Sequence, residues 1–325
     1  MLSSPVESVA PSPPPVSPAT GPCPLCGSTD AAPRCGAPDR FHGRKQPFRL
    51  ARCRACSGVW LPDPPRPEEM FLHYDEEYHR AITQAGESDL FERWRRPREL
   101  ISRHCRSGSL LDIGCSSGAF LSTLRGGDWK LHGIEMEPET AAKARLRTGA
   151  QVFVGDVMGA PFAEGAFDVI TCFDLLEHVY DPRLFLARVH RWLKPGGILC
   201  AVMPNIESWE ARLFGSYWYG LELPRHLFHF SPRSLRRLLT SLEFTERHLE
   251  TNTSYAERSA GYVTAALLGG AGFQPPPPSA PRTPGIAWRG VRKLLRLTLV
   301  RPFSAVASLA GAGASMEIVF SKNAR

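Results

Sequence analysis

Residues 110–121 have the sequence LLDIGCSSGAFL, and this stretch decides the fold. A short apolar segment ends in Asp112, turns through small residues, and continues into a second apolar segment with the composition of a helix. Gly114 and Gly118 let the backbone come close to a ligand where a β-carbon would clash. The first turn of the following helix has unpaired N–H groups. The stretch therefore predicts a ligand pocket at the carboxyl end of the first strand of an open α/β sheet.

Further strands follow in the order expected for such a sheet. The second strand ends in Glu135, about twenty residues after the first, which is where an acid holds ribose hydroxyls in folds of this kind. The third strand is followed by Asp156. Ser231 is placed to cap a helix that begins at Pro232. The strands predicted after the first are residues 131–135, 152–157, 167–173, 198–203, 244–250 and 317–322.

Together these segments resemble the class I S-adenosylmethionine-dependent methyltransferases. Residues 225–230, RHLFHF, resemble the ubiquinone-type O-methyltransferase-like subgroup. The resemblance implies a Rossmann-like α/β fold whose seven-stranded sheet has the order 3-2-1-4-5-7-6, with the seventh strand antiparallel. Ser116 departs from the fullest form of the first motif, which has a glycine there. A nicotinamide dinucleotide site fits worse, because it would also need a glycine at Ala119. With S-adenosylmethionine as the implied cofactor, the implied binding residues are Asp112, Gly114, Cys115, Gly118, Glu135, Asp156, Val157 and Phe173.

Two C-x-x-C pairs precede the predicted core, separated by 26 residues. Four thiolates in this pattern predict a tetrahedral zinc site of the zinc-ribbon kind, whose ligands are Cys23, Cys26, Cys53 and Cys56. Four protein ligands leave no open position, so the zinc would be structural. The alternatives are four ordinary reduced cysteines, two local disulfides, or substitution of a ligand by Cys35 or His42.

The catalytic group is harder to predict, because methyl transfer mainly requires alignment of the acceptor with an already activated methyl group. His178, which follows the fourth strand, is a candidate general base, and the alternative is that it packs against the cofactor. His226 and His229 lie in an aromatic insertion after the fifth strand. They are three residues apart, so a helix would place them on one face. We expect a lid or base role for them, with a metal pair or a purely structural lid as alternatives.

The chain divides by composition into six parts. Residues 74–78 resemble a tyrosine-containing segment that caps the cofactor pocket in related enzymes, and a helix packed on the sheet edge is equally compatible. The predicted parts are a disordered proline-rich tail (1–20), a zinc-ribbon-like module (21–62), a helical cap or linker (63–107), the methyltransferase core (108–255), a basic helical insertion (256–313) and the final strand (314–325).

The insertion carries a basic amphipathic segment near residues 286–301. Such a helix could lie at a membrane interface or hold a partner, or it could pack on the catalytic domain with its basic face in solvent. The net charge of +7 is spread along 325 residues, and no arginine-rich arm or recognition helix indicates nucleic acid. With nine cysteines, no secretory signal pattern and no apolar stretch of about 20 residues, we expect a cytoplasmic protein, membrane-peripheral if the helix meets a membrane.

Two hypotheses of function remain from the sequence. The first is a methyltransferase acting on oxygen or carbon of a small molecule, such as a sugar, a lipid-linked intermediate or an aromatic, quinone-like metabolite. The second is a zinc-ribbon binding protein that uses the methyltransferase fold as a scaffold. The acids at Asp112, Glu135 and Asp156 favour the first, because a scaffold does not need them. A protein or RNA acceptor stays open.

Overall fold

The structure is a computed structural model that describes residues 21–42, 44, 46–74, 90–252, 255–256, 258–260, 262–263, 298 and 300–323. The predicted tail at 1–20 and most of the predicted basic segment at 286–301 lie outside these residues, as does Tyr78 of the predicted cap. No helix in the described ranges is long and apolar enough to cross a membrane.

Seven strands of the described chain form the central sheet. In chain order they are β4 (Gly108–Ile113), β5 (Trp129–Glu135), β6 (Gln151–Val154), β7 (Phe167–Phe173), β8 (Leu193–Pro204), β10 (Phe244–Asn252) and β11 (Ser315–Lys322). Their spatial order is β6-β5-β4-β7-β8-β11-β10. The neighbours of β4 and the β7–β8 pair are parallel, whereas β11 is antiparallel to both β8 and β10. Counted along the sheet, this is the predicted order 3-2-1-4-5-7-6, which is confirmed.

Alternation along the strands produces two buried clusters, one on each face of the sheet. Leu110 belongs to one cluster together with Val169 of β7. Leu111 and Ile113, which point to the opposite face, belong to the other cluster. Both faces of β4 are therefore buried, and its last four residues, Leu110 to Ile113, are all buried.

Helices precede and separate the strands of the central sheet. They are α1 (Pro67–Met70), α2 (Leu90–Arg93), α3 (Arg95–Ser102), α4 (Ala119–Ser122), α5 (Pro138–Thr148), α6 (Pro182–Trp192), α7 (Trp209–Phe214), α8 (Pro232–Ser241) and α9 (Arg301–Leu309). The predicted start of α8 is confirmed, because the Ser231 hydroxyl accepts from the Ser234 N–H group and Pro232 is the first helical residue. Helix α6 ends at Trp192, three residues before Pro195.

A second, antiparallel sheet is formed mainly by the segment that carries the two C-x-x-C pairs, and Cys53 is the last residue of one of its strands. Its strands are β1 (Ala31–Pro38), β2 (Pro47–Cys53), β3 (Val59–Trp60) and β9 (Phe228–His229). Strand β9 comes from the aromatic insertion after β8 and pairs with β3 through Val59 and His229. The helix considered for residues 226–229 is therefore wrong: Phe228 and His229 are extended because their backbone completes this sheet. We call residues 21–74 the head; it shares a sheet with the insertion.

Candidate active site

The loop between β4 and α4 has the backbone conformation that its small residues predict. Gly114 and Gly118 have φ values of 73° and 75°. A β-carbon on Gly118 would lie 2.8 Å from Thr148 Cγ2 and 3.1 Å from Ala144 Cα, so α5 can pack here only against a glycine. Ser116, which departs from the family motif, has φ 48° and therefore adopts the left-handed conformation that a glycine would favour.

Asp112 lies at the carboxyl end of β4, 3% exposed. Its Oδ1 accepts a hydrogen bond of 2.7 Å from the Thr171 hydroxyl of β7. Burial raises the pKa of Asp112 to about 7, and the nearby Glu135 charge also raises it. A cationic ligand group beside Asp112 would favour its ionised form.

Glu135 ends β5 and joins two loops. Its Oε2 accepts from the Ser116 N–H group at 3.0 Å and its Oε1 accepts from the Glu137 N–H group at 3.0 Å. These bonds hold the carboxylate at the rim of the β4–α4 loop, where an acid of this kind can meet ligand hydroxyls. The serine at 116 therefore keeps the N–H contact that fixes Glu135.

The other implied cofactor residues lie at the same edge of the sheet or next to it. Asp156 is exposed and its Oδ1 accepts from Met158 N–H at 2.7 Å, which caps the 3₁₀ turn Val157–Gly159. Phe173, at the end of β7, packs 4.9 Å from Phe120 and 5.3 Å from Trp94, measured between ring centroids. Cys115 is buried in the loop. Their contact with a cofactor stays a prediction.

His178 lies beyond the end of β7, in the 3₁₀ turn Leu176–His178. Its Nδ1 is 3.0 Å from the Arg225 carbonyl oxygen and 2.9 Å from the Tyr74 hydroxyl. Because a carbonyl can only accept, the contact with Arg225 assigns the hydrogen to Nδ1 and the lone pair to Nε2, and the Tyr74 hydroxyl then accepts from the same N–H group. Burial lowers the pKa of His178, so the ring is neutral near pH 7. A neutral imidazole with a basic Nε2 is suited to accept a proton.

The two histidines of the insertion have different surroundings. The His226 ring lies 4.7 Å from that of His178, and its Nδ1 donates to the Gly220 carbonyl at 2.9 Å. His229 donates from Nε2 to the Leu221 carbonyl at 3.0 Å and is buried within β9. Burial lowers the pKa of both, to about 3 for His226 and about 4 for His229. The structure thus brings His178 and His226 together and places His229 in the head sheet.

Glu177 is the least expected group of the site. It is 1% exposed, and within the described part of the chain neither carboxylate oxygen has a hydrogen-bond partner. One oxygen lies within 4.8 Å of ring nitrogens of both His178 and His226. Burial raises the pKa of Glu177, and the neighbouring Asp174 charge raises it further. The sequence alone does not single out Glu177, because its burial depends on tertiary packing.

The four head cysteines form a cluster with metal-site dimensions. Their Sγ atoms all lie within 4.8 Å of one another, and the Cys23–Cys56 and Cys26–Cys53 distances are 3.7 Å and 3.6 Å. A tetrahedral zinc with Zn–S bonds of about 2.3 Å requires an S–S separation of about 3.8 Å. The donor set therefore fits zinc. The alternative ligand His42 lies elsewhere, with its Nδ1 2.8 Å from Asp39.

The chain is similar in sequence and in fold to known methyltransferases. Ubiquinone biosynthesis O-methyltransferases of Pseudomonas paraeruginosa and Pseudomonas aeruginosa are 32% and 33% identical over 130 and 129 residues, which are 38% and 37% of this chain and 56% of each relative. The chain thus spans about half the length of these curated relatives. A SAM-dependent methyltransferase from Archaeoglobus fulgidus shares the fold, with a TM-score of 0.50 and 17% identity over 76% of this chain and 100% of that one. The sequence profile of a family described as methyltransferase domain matches residues 87–249, half of the chain. The protein therefore belongs to this methyltransferase family.

Proposed function

We propose that the protein transfers a methyl group from S-adenosylmethionine to an oxygen or carbon atom of a small-molecule acceptor. The observation that carries this proposal is that Asp112, Glu135 and the neutral His178 all lie at or beyond the carboxyl ends of neighbouring parallel strands, β4, β5 and β7. Among the acceptors considered, the names of the curated relatives favour an aromatic, quinone-like molecule over a sugar or a lipid-linked intermediate.

The residues at the sheet edge fit S-adenosylmethionine. In the β4–α4 loop the backbone of Gly114 is exposed, so a ligand can approach it. Glu135 would accept from the ribose hydroxyls, and Asp112, with its pKa of about 7, would ionise beside the cationic end of the ligand. Bound there, S-adenosylmethionine supplies a methyl group activated by the positive charge of its sulfonium.

His178 would then act on the acceptor. Its Nδ1–H is held by the Arg225 carbonyl, so the ring orientation is fixed and Nε2 can accept the proton that the acceptor hydroxyl loses. Tyr74 and the aromatic insertion would exclude water from this side, as a lid does. We assign His226 to the same side of the acceptor site as Tyr74, and we expect His229 to be structural.

Labelled methyl transfer tests the proposal. The purified protein would be incubated with methyl-labelled S-adenosylmethionine and a panel of catechols, hydroquinones, nucleotide sugars and lipid-linked intermediates. We expect label in a phenolic acceptor. Label in protein or RNA alone would contradict the small-molecule assignment, and binding of the cofactor without transfer to any acceptor would favour the scaffold hypothesis.

The raised pKa of Asp112 predicts a pH-dependent cofactor affinity. Below about pH 7 the acid is mostly neutral in the free protein, so binding of a cation must release its proton. The affinity for S-adenosylmethionine should therefore rise by about tenfold between about pH 6 and pH 8 and then level off. Calorimetry in two buffers of different ionisation enthalpy would count the released proton. Asp112→Asn should remove this release, and the exposed control Asp128→Asn should keep it.

The cysteine cluster predicts one structural zinc. Cys53→Ser should lose the metal, measured by elemental analysis. It should also lower the melting temperature, because Cys53 ends β2, which pairs with β1 and β3 in the sheet of the head. Cofactor affinity should change little, because the β4–α4 loop follows a strand of the central sheet and is not part of the head. Cys105→Ser, a half-buried cysteine outside the cluster, is the matched control and should retain zinc. Wild-type protein free of zinc would contradict the assignment.

A further inference from the structure

Asp39 of the head is a fully buried acid with three basic neighbours. It directly follows β1 and has 0% exposure. Its Oδ2 lies 2.8 Å from Nδ1 of both His42 and His73. Its two oxygens also face the Arg225 guanidinium, at 3.4 Å from Nη2 and 3.5 Å from Nη1. The charge of Arg225 and the two histidine hydrogen bonds lower the pKa of Asp39, so it is ionised at neutral pH.

Arg225 comes from the aromatic insertion, 186 residues further along the chain, and is 1% exposed. Its Nη1 donates to the His73 carbonyl at 3.1 Å, and its guanidinium lies 5.3 Å from the Phe41 ring centroid. On its other side Nε donates to Glu222 at 3.2 Å. Most of these partners belong to the head. A buried guanidinium is stable only where its donors are held, so the head determines where this side chain lies.

The backbone of Arg225 and Leu227 holds the turn that contains His178. The Arg225 carbonyl oxygen is 3.0 Å from His178 Nδ1, and the Leu227 N–H group donates to the Glu177 carbonyl at 2.8 Å. Leu227 is in turn held by the head, because its carbonyl accepts from Leu61 N–H at 2.8 Å. A chain of contacts thus joins Asp39 through Arg225 to Nδ1 of His178, the nitrogen whose hydrogen defines the tautomer.

The geometry around Asp39 disfavours a metal. Asp39, His42 and His73 have ligand atoms close enough to hold an ion. The Arg225 guanidinium nevertheless lies 3.4 Å from His42 Nδ1 and 3.5 Å from Asp39 Oδ2, where it would repel a divalent cation. The cluster is therefore better explained as an anchor for Arg225 than as a second metal centre.

We propose that Asp39 is a positioning residue for His178: it holds Arg225, whose carbonyl fixes the Nδ1–H tautomer and so directs Nε2 to the acceptor. The head then forms part of the acceptor side of the site, rather than a separate module that binds a partner. This inference rests on the proposed function only in giving His178 a catalytic role, since the tautomer can be measured without any acceptor.

The tautomer of His178 is the direct test. Long-range nitrogen–proton NMR spectra of the imidazole rings would be recorded for the full chain, with the His178 signals assigned by comparison with His178→Gln. We expect the wild type to have the Nδ1–H form alone, and Asp39→Asn to lose part of this signal to the Nε2–H form. The zinc content and the affinity for S-adenosylmethionine should stay at wild-type values. The control Asp30→Asn, in an exposed pair of the same head, should leave the spectrum unchanged.

A second variant covers the case in which Asp39→Asn does not fold, because it leaves a buried arginine with a weakened partner. The pair Asp39→Leu with Arg225→Met removes both charges at similar volume, which proteins often tolerate. It should show the same change of tautomer and, once an acceptor is known, a kcat lowered about tenfold or more with KM for the cofactor unchanged. A wild-type tautomer in the folded double variant would overturn the proposal. Absence of methyl transfer by the wild type, together with an altered tautomer in the double variant, would instead overturn the proposed function alone.

Discussion

His178→Gln should lower the rate of methyl transfer by about 10² to 10⁴-fold, the range that a general base contributes. Glutamine keeps a polar side chain of similar length but has no lone pair on nitrogen that can accept a proton at neutral pH. The rate would be measured at saturating cofactor with the acceptor identified from the panel. Cofactor affinity should stay within about threefold, because a base that acts only on the acceptor contributes little to ground-state binding.

The pH profile separates a base from a packing residue. Since burial lowers the pKa of His178, the wild-type rate should fall only when pH drops below the ordinary range of histidine, as the ring becomes protonated. His178→Gln should have no such limb at its low residual rate. His104→Gln, at an exposed position after α3, is the control. An unchanged rate in His178→Gln would show that the ring only packs against its neighbours.

Glu135→Ala should weaken binding of S-adenosylmethionine by well over about tenfold. The variant removes the acceptor for the ribose hydroxyls and also frees the two N–H groups, of Ser116 and Glu137, that the carboxylate holds in place. Calorimetric titration of the cofactor measures the loss. Zinc content should not change, because the cysteine cluster lies in the head whereas Glu135 ends a strand of the central sheet.

Glu135→Gln distinguishes the two contributions. An amide can keep one of the N–H contacts through its oxygen but offers a poorer acceptor to the hydroxyls, so its affinity should fall between those of the wild type and Glu135→Ala. Glu139→Ala, in the exposed first turn of α5, should bind like the wild type. Wild-type affinity in Glu135→Ala would eliminate the ribose assignment.

The central sheet could be predicted from the sequence because each of its signals is local. The apolar residues of β4, its Asp112 and the glycines of its loop all lie within residues 110–121, and β5 likewise ends in an acid, Glu135. The known order of such sheets then supplies the topology. The structure also confirms a detail of local chemistry, the Ser231 cap of α8.

The acceptor side could not be predicted in the same way, because its contacts join distant segments. Strand β9 is only Phe228–His229, too short to give a strand pattern, and it exists because β3 offers a pairing partner. Asp39 carries no motif at all. Its proposed role depends on a contact with Arg225, which is 186 residues away along the chain. Spacing alone suggested a helix for His226 and His229, and long-range pairing overrides that tendency.

The most direct measurement is calorimetric titration of S-adenosylmethionine and S-adenosylhomocysteine into the purified, zinc-quantified protein. Our account predicts that both bind with micromolar dissociation constants at a single site, and that Glu135→Ala loses this binding while its zinc content is preserved. No binding of either compound to folded, zinc-containing protein would contradict it. The β4–α4 loop would then be a degenerate pocket, and the head and the insertion would be the parts of the protein to test for partners.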